Sequence, residues 1–232
     1  MNIRGIYKTS LIDYPGKIST VLFTGGCNLR CKYCHNPALA CNLPGLELTP
    51  NDEAISFIEK RSGLIDGVTI TGGEPTLSPN ISEFLKKLKN RSIPVKLDSN
   101  GLNPSVIERL VGEGLLDYVA IDVKTSPEKY RELTGSDVDF GKIYRSVSIL
   151  RDSGVDYEIR TTCIPGYVTV DDFYGIGGAI GRVSSYYLQQ FRKDTPLLDE
   201  SCMELSPYTR ETLLGFREIV LGFADFCIIR GI

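Results

Sequence analysis

The sequence predicts an α/β fold built on a parallel sheet, and two observations carry that expectation. Short runs rich in β-branched residues alternate with amphipathic stretches six times along the chain, the pattern of βα units joined by right-handed crossovers. Each run is also apolar along most of its length, as strands buried on both faces are. A chain of 232 residues, 42% hydrophobic, suits one large domain. Six units are fewer than those of a closed eight-unit barrel, which takes about 250 residues. Periodicity leaves an open sheet, a full barrel and a partial barrel all standing.

The elements follow in order. Residues 1–17 read as extended segments around the turn Asp13-Tyr14-Pro15-Gly16. Strands are predicted at 18–24, 67–71, 94–98, 118–122, 157–163 and 185–189. Between them, Ile81, Phe84, Leu85 and Leu88 fall at helical spacing and make one apolar stripe, and Val106, Ile107, Leu110 and Val111 repeat it. Thr49-Pro50, Asn103-Pro104 and Ser126-Pro127 each place a capping side chain before a proline at the first helical position. Gly114 and Gly154 are helix stops. The tail, 207–232, predicts a helix over 212–221 and a last strand over 226–229. The expected organisation is an N-terminal extended segment (1–17), the βα body (18–206) and a helix–strand extension of the same domain (207–232).

Composition narrows the function. The 26 Lys and Arg nearly balance 29 Asp and Glu, so no strongly basic nucleic-acid face is expected. No apolar run reaches the roughly 20 residues that span a bilayer. The first five residues lack the apolar core of a signal peptide. A cytoplasmic protein with no membrane attachment is the expectation. His35 is the only histidine, which excludes the HExxH zinc hydrolases and most multi-histidine metal sites. Seven cysteines, three of them within eight residues, argue for metal or redox chemistry rather than a disulfide framework.

In parallel α/β folds, sites form at the carboxyl ends of strands. Chemically interesting tracts end four of the predicted strands: Gly25-Gly26-Cys27, Gly72-Gly73-Glu74-Pro75, Asp98-Ser99-Asn100-Gly101 and Asp122-Val123-Lys124. The first opens the loop Cys27-Asn-Leu-Arg-Cys31-Lys-Tyr-Cys34-His-Asn-Pro37. Three thiolates in one loop suit an iron–sulfur cluster or zinc. A tetrahedral zinc site needs a fourth ligand, which Cys41 or His35 could supply. A cubane cluster on three cysteines instead leaves one iron open to substrate.

The Cys-x3-Cys-x2-Cys spacing after a first strand resembles the signature of the radical S-adenosylmethionine (SAM) enzymes. Leu11-Ile-Asp-Tyr-Pro-Gly-Lys17 ahead of it and Cys34-His-Asn-Pro37 closing it are similar to the activating enzymes of glycyl-radical proteins, in particular those of anaerobic ribonucleoside-triphosphate reductases, cousins of the pyruvate formate-lyase activating enzymes. The resemblance covers about residues 5–190. It implies a partial (βα)6 TIM-like barrel with short N- and C-terminal additions. It also implies a [4Fe-4S] cluster on Cys27, Cys31 and Cys34 whose fourth iron binds SAM. The implied reaction is reductive cleavage of SAM, followed by hydrogen-atom abstraction from a glycine of a partner enzyme. SAM is hard to reduce, and iron–sulfur clusters reach potentials as low as about −700 mV. The implied partners are a glycyl-radical enzyme, foremost the anaerobic ribonucleotide reductase large subunit, and a reduced flavodoxin or ferredoxin-type electron donor.

The resemblance also gives the other tracts roles, each against a plainer alternative. Gly72, Gly73 and Glu74 match a Gly-Gly-Glu motif that binds the SAM amino group; alone they make a turn. Asp98 and Ser99 match an Asp-Thr-Asn-Gly tract in which the Asp meets that amino group; alone they start an Asx turn. Asp122 and Lys124 match an Asp-Leu-Lys motif, with Lys124 on the SAM carboxylate and Asp122 near the ribose or a cation; alone they are a solvated ion pair of at most ~1 kcal/mol. Arg160 corresponds to an Arg lining the SAM pocket, and an Arg in an apolar strand needs a partner in any case. Tyr33 would pack on adenine or shield the cluster, and Asn36 completes the expected SAM contacts. Gln189 and Gln190 stand near a position where pyruvate formate-lyase activases use His. Cys41, Cys163, Cys202 and Cys227 read as small buried hydrophobes. Two rivals remain: a radical SAM enzyme for RNA, a peptide or a small molecule, and a zinc-bound structural module.

Overall fold

The computed structural model describes residues 1–232. In chain order the elements are β1 (Ile3–Ser10), β2 (Ser19–Thr24), α1 (Pro37–Ala40), α2 (Asn51–Glu59), β3 (Gly67–Gly72), α3 (Ile81–Lys89), β4 (Val95–Ser99), α4 (Pro104–Gly112) and β5 (Tyr118–Asp122). They continue with α5 (Tyr130–Thr134), α6 (Phe140–Ser153), β6 (Asp156–Cys163), α7 (Val170–Ile180), β7 (Val183–Gln190), α8 (Arg210–Val220) and β8 (Ala224–Arg230). Short 3-10 turns at Pro75–Leu77, Pro127–Lys129 and Glu200–Glu204 punctuate the loops.

All eight strands lie in one sheet in sequence order. β2 to β8 run parallel, and β1 pairs antiparallel with β2. β8 pairs with β7 and not with β1, so the curved sheet stays open: a partial barrel, as expected. The six predicted strands are β2 to β7, with ends moved by no more than two residues. Each terminal segment adds an edge strand. The predicted "extended segment" is therefore a sheet strand over Ile3–Ser10, tied to β2 from Ile3↔Thr24 to Ser10↔Ser19.

The outward face of the sheet packs on the helices through one continuous apolar core. Leu22, Ile70, Leu97, Val119, Ile121, Ile159 and Leu188 meet Leu85, Leu88, Ile107, Leu110, Val147 and Ile176 there. The stripe on α3 is buried as its spacing predicts. Gly154 ends α6 at φ +73, and Gly114 follows α4 at φ +66, left-handed positions that suit glycine. The capping expectation needs correction. α2 starts at Asn51 with Pro50 as its cap residue, one position later than expected. Asn103 and Ser126 do precede their prolines, but their side chains cap nothing. Asn103 Nδ2 donates to Thr76 Oγ1 (2.8 Å), and Ser126 Oγ to Asp172 (2.7 Å). A buried polar partner nearby outcompetes the local backbone.

At the amino-terminal end of the parallel strands, the turn after β1 carries Tyr14. It is buried, its ring lies 6.0 Å from that of Tyr118, and with the Pro94 carbonyl it packs closely over Gly67.

Candidate active site

One cavity lies at the carboxyl ends of β2 to β6. The loop after β2 contributes Cys27, Cys31, Tyr33, Cys34 and Asn36. Gly72, Gly73 and Glu74 come from the end of β3, Asp98 and Ser99 from β4, and Asp122 and Lys124 from β5. The structure thus brings together every residue proposed from sequence except Arg160. His35, Thr71, Asn100 and Thr162 join them.

The cysteine loop is fixed by backbone hydrogen bonds to three other segments. Gly26 and Cys27 N–H donate to Leu39 and Ala40 (2.8 and 3.2 Å), and Arg30 and Lys32 N–H to Thr134 and Leu133 (2.8 and 3.0 Å). From the loop after β7, Leu198 and Asp199 N–H donate to Cys34 and Lys32 (3.2 and 2.9 Å). Nothing but a folded molecule holds these three thiols in this arrangement. Burial raises the pKa of all three, that of Cys31 to about 12. Binding a metal assembly must therefore expel protons, because the thiolate is the ligand.

Three thiols facing the polar ends of β3, β4 and β5 suit an iron–sulfur cluster that leaves one iron open to a ligand. Of the two candidates for a fourth zinc ligand, Cys41 is absent from the cavity lining, whereas His35 lines it with Nε2 on the Arg192 carbonyl at 2.9 Å.

Gly72 and Gly73 bring two backbones into contact. Gly72 sits at φ +116, and a Cβ on Gly73 would collide with the Gly26 carbonyl. The close approach lets Gly73 N–H donate to Thr24 and Glu74 N–H to Gly26, both at 2.8 Å. The Glu74 side chain is spent differently from the sequence expectation. Oε1 accepts from Thr76 N–H (3.1 Å), Thr76 Oγ1 (2.5 Å) and Ser99 Oγ (2.8 Å), and Oε2 from Asn100 N–H (2.7 Å). Burial raises its pKa, and these bonds pull the other way. Glu74 clamps the end of β3 to the end of β4, so the free groups this tract offers are largely backbone. Asn100 extends the clamp by donating from Nδ2 to Asn28 Oδ1 at 2.7 Å, in the cysteine loop.

Asp98, Asp122 and Lys124 form the charged wall. Lys124 Nζ lies 3.2 Å from Asp122 Oδ2. Burial opposes charge on both, yet Arg160 and Lys124 hold the Asp122 carboxyl well below its ordinary range, and Asp122 holds Lys124 well above its own. Arg160 does not line the cavity, which corrects the expectation from sequence. Its backbone is level with that of Asp122. Its Nε donates to Asp122 Oδ1 at 2.7 Å and its Nη1 to Asp98 Oδ2 at 3.2 Å, so it grips both carboxylates from below. The inward residue of β6 one level up is Thr162, which does line the cavity.

Tyr33 is buried beside Thr162, and its hydroxyl makes no well-formed hydrogen bond. Gln190 is not available to a ligand here: its Nε2 donates to Tyr208 O (2.7 Å) and its Oε1 accepts from Phe191 N–H (3.1 Å). Cys163, Cys202 and Cys227 lie in the apolar core, as expected, and Cys41 is half-buried. Sequence reasoning missed Lys96 and Glu158, buried charges on the same face as Asp98 and Arg160. Their only signal was a charge inside a predicted buried strand.

The chain matches the family model "Radical SAM superfamily" over residues 21–173. It is 34% identical over 238 residues to a Methanocaldococcus jannaschii protein named "Putative glycyl-radical enzyme activating enzyme", covering 99% of this chain and 96% of the relative. It is 33% identical over 174 residues to the pyruvate formate-lyase-activating enzyme of Clostridium pasteurianum, covering 70% and 68%. Among solved structures, Streptococcus suis SuiB bound to S-adenosylmethionine superposes with a TM-score of 0.67 at 17% identity, over 89% of this chain and 48% of SuiB. The chain thus spans about half the length of that structure, and the likeness is one of fold.

Proposed function

Because the chain belongs to the radical SAM superfamily, among the glycyl-radical enzyme activating enzymes, a family that works with a [4Fe-4S] cluster and SAM, we propose that it activates a glycyl-radical enzyme. The observation that carries this reading is the single cavity shared by the three thiols and the ends of β3, β4 and β5. When bound and reduced, the cluster supplies the electron that splits SAM into methionine and a 5′-deoxyadenosyl radical, and that radical takes a hydrogen atom from the partner's glycine.

The chain's own residues have separate tasks. Cys27, Cys31 and Cys34 hold three irons. The backbone of Gly72 and Gly73, with Asp98, receives the SAM ammonium. Ser99 holds Glu74 in place, and Glu74 ties β3 to β4. Lys124 meets the SAM carboxylate and Asp122 faces the ribose. Tyr33 offers its unpartnered hydroxyl and its ring, and Asn36 closes the cavity beside the cysteines. Arg160 acts from below through Asp98 and Asp122. Holding one target against a primary radical and excluding water are what such a site must do.

The partner we favour is the anaerobic ribonucleotide reductase large subunit, on the strength of Leu11–Lys17 and Cys34–Pro37. The donor is a reduced flavodoxin or ferredoxin, and the setting is the cytoplasm. No helix is long and apolar enough to cross a membrane. The test is anaerobic: reconstitute with iron and sulfide, reduce, add SAM and the reductase, and record the electron paramagnetic resonance (EPR) spectrum. A glycyl radical on the reductase is the expected result. SAM cleavage with no radical on that partner removes the reductase but keeps the chemistry. One equivalent of zinc and no iron after anaerobic purification removes the cluster.

A further inference from the structure

Beneath the cavity, the inward face of the sheet carries a chain of buried charges that reaches the last strand. Glu158, on β6, is fully buried. Its Oε1 accepts from Arg230 Nη1 at 3.0 Å, and its Oε2 from Arg230 Nη2 at 2.8 Å and the Tyr118 hydroxyl at 3.1 Å. Its Oε1 also lies 3.7 Å from Arg160 Nη1. Arg230 is the final residue of β8, and its guanidinium stacks 3.6 Å from the centre of the Tyr187 ring. A bidentate fork stacked on an aromatic ring fixes a guanidinium in position and angle. Above it, Arg160 grips Asp98 and Asp122, and the second oxygens of those carboxylates go to Lys96 and Lys124.

We propose that Glu158 and Arg230 are positioning residues for SAM: they form the footing on which Arg160 sets the two cavity aspartates, which makes the C-terminal strand a working part of the site. The proposal rests on the reading that SAM occupies this cavity. Neither residue lines the cavity, so neither touches SAM. The footing is specific to orientation rather than to charge. In the network Lys96, Lys124, Arg160 and Arg230 face Asp98, Asp122 and Glu158, four cations against three carboxylates. Glu158 and Arg230 cancel each other, so removing both leaves one surplus cation, as before. What changes is that Arg160 loses the carboxylate on its lower side, 3.7 Å from its Nη1, that helps set its guanidinium beneath Asp98 and Asp122.

The experiment uses the reconstituted holoenzyme and reads SAM binding directly. Equilibrium dialysis with labelled SAM gives Kd, and EPR of the reduced cluster, with and without SAM, shows that the cluster is intact. Glu158→Met with Arg230→Met, a pair that keeps volume and charge balance, should weaken SAM about 10-fold, the scale seen when partners of ligating groups are removed. The SAM-free EPR signal should match that of the parent protein. An unchanged Kd overturns the proposal. Asp225→Asn is the control for a loosened strand, because Asp225 is also on β8 and holds only the exposed Arg182. If it weakens SAM as much as the paired variant, strand loosening explains the effect and the proposal falls. A parent protein that carries a cluster but binds no SAM would instead refute the reading of the cavity.

Discussion

On its outward face β4 presents Val95 and Leu97 to the helices; on its inward face the same strand presents Lys96 and Asp98. All four side chains are buried, but burial means different things on the two faces. Outside, each side chain gains by leaving water, and the gain scales with apolar area. Inside, each charge loses its hydration and is kept by an opposite charge: Lys96 by Asp98 on the same strand, Asp98 also by Arg160, and Glu158 by Arg230. The outward face makes the fold; the inward face sacrifices stability to hold charges in set positions. Substitutions that act on one face alone test that division.

The largest effect is expected at the mouth of the inward face. Cys31→Ala removes one of three thiols that nothing else in the cavity replaces, so cluster-dependent SAM cleavage should fall to background with the fold intact by circular dichroism. Retained cleavage would mean that other ligands hold the cluster. Next is Asp98→Asn. It leaves Lys96 and Arg160 short of a carboxylate, and breaking a buried pair costs about 3–5 kcal/mol. Urea unfolding should show that loss, and SAM affinity should drop with it. On the outward face, Leu97→Ala should cost about 2–5 kcal/mol through cavity formation, yet leave SAM affinity unchanged in the molecules that remain folded. Equal damage to binding from Leu97→Ala and Asp98→Asn would erase the distinction between the faces.

Gly73→Ala tests the seam where β3 meets the cysteine loop. The new methyl would strike the Gly26 carbonyl, and forced overpacking costs typically about 1–3 kcal/mol. Because Glu74 N–H donates to that same carbonyl, the displacement should reach the thiols. Iron content after reconstitution is the measurement, and it should fall more than stability does. Full iron content in a folded variant would show that the seam is not what sets the loop.

The same division explains what could be read in the sequence. The outward face was legible because its Val, Ile and Leu recur at strand and helix spacing, so β2 to β7 fell within two residues of their predicted places. The cavity residues were legible because a parallel sheet puts its site at strand ends, which Gly72, Asp98 and Asp122 mark. The inward charges were not. Asp98 finds Arg160 across 62 positions and Glu158 finds Arg230 across 72, and no local pattern announces such pairs. Arg160 reads from sequence as a cavity residue in need of a partner; the register does set it level with Asp122, but its guanidinium is taken up by Asp122 and Asp98. β1 read only as extended, because its charge and glycine break the alternation and its pairing with β2 supplies what its sequence lacks.

The smallest effect is expected where a buried charge stands outside the network. Asp172, in the first turn of α7, is almost fully buried, like Asp98. Its partners, however, all lie outside the inward network. Oδ2 accepts from Lys129 Nζ (2.8 Å), Thr169 N–H (2.8 Å) and Thr169 Oγ1 (2.7 Å), and Oδ1 from Ser126 Oγ (2.7 Å). Burial raises its pKa, but these donors outweigh it and leave the carboxyl below its ordinary value of 3.8. A carboxylate with a depressed folded pKa adds stability that is complete above the unfolded value. That stability is lost as pH falls through the folded one. The contribution of Asp172 should therefore be full at neutral pH and fade below about pH 4. Asp172→Asn should cost about 1 kcal/mol at pH 7, as the loss of a helix cap does, and should match the parent protein more closely as the pH drops below that window. Urea midpoints at pH 7 and pH 3.5 measure both arms, with SAM affinity unchanged throughout. A loss at pH 7 as large as that of Asp98→Asn would mean that burial alone, and not membership of the inward network, sets the cost of disturbing a charge in this molecule.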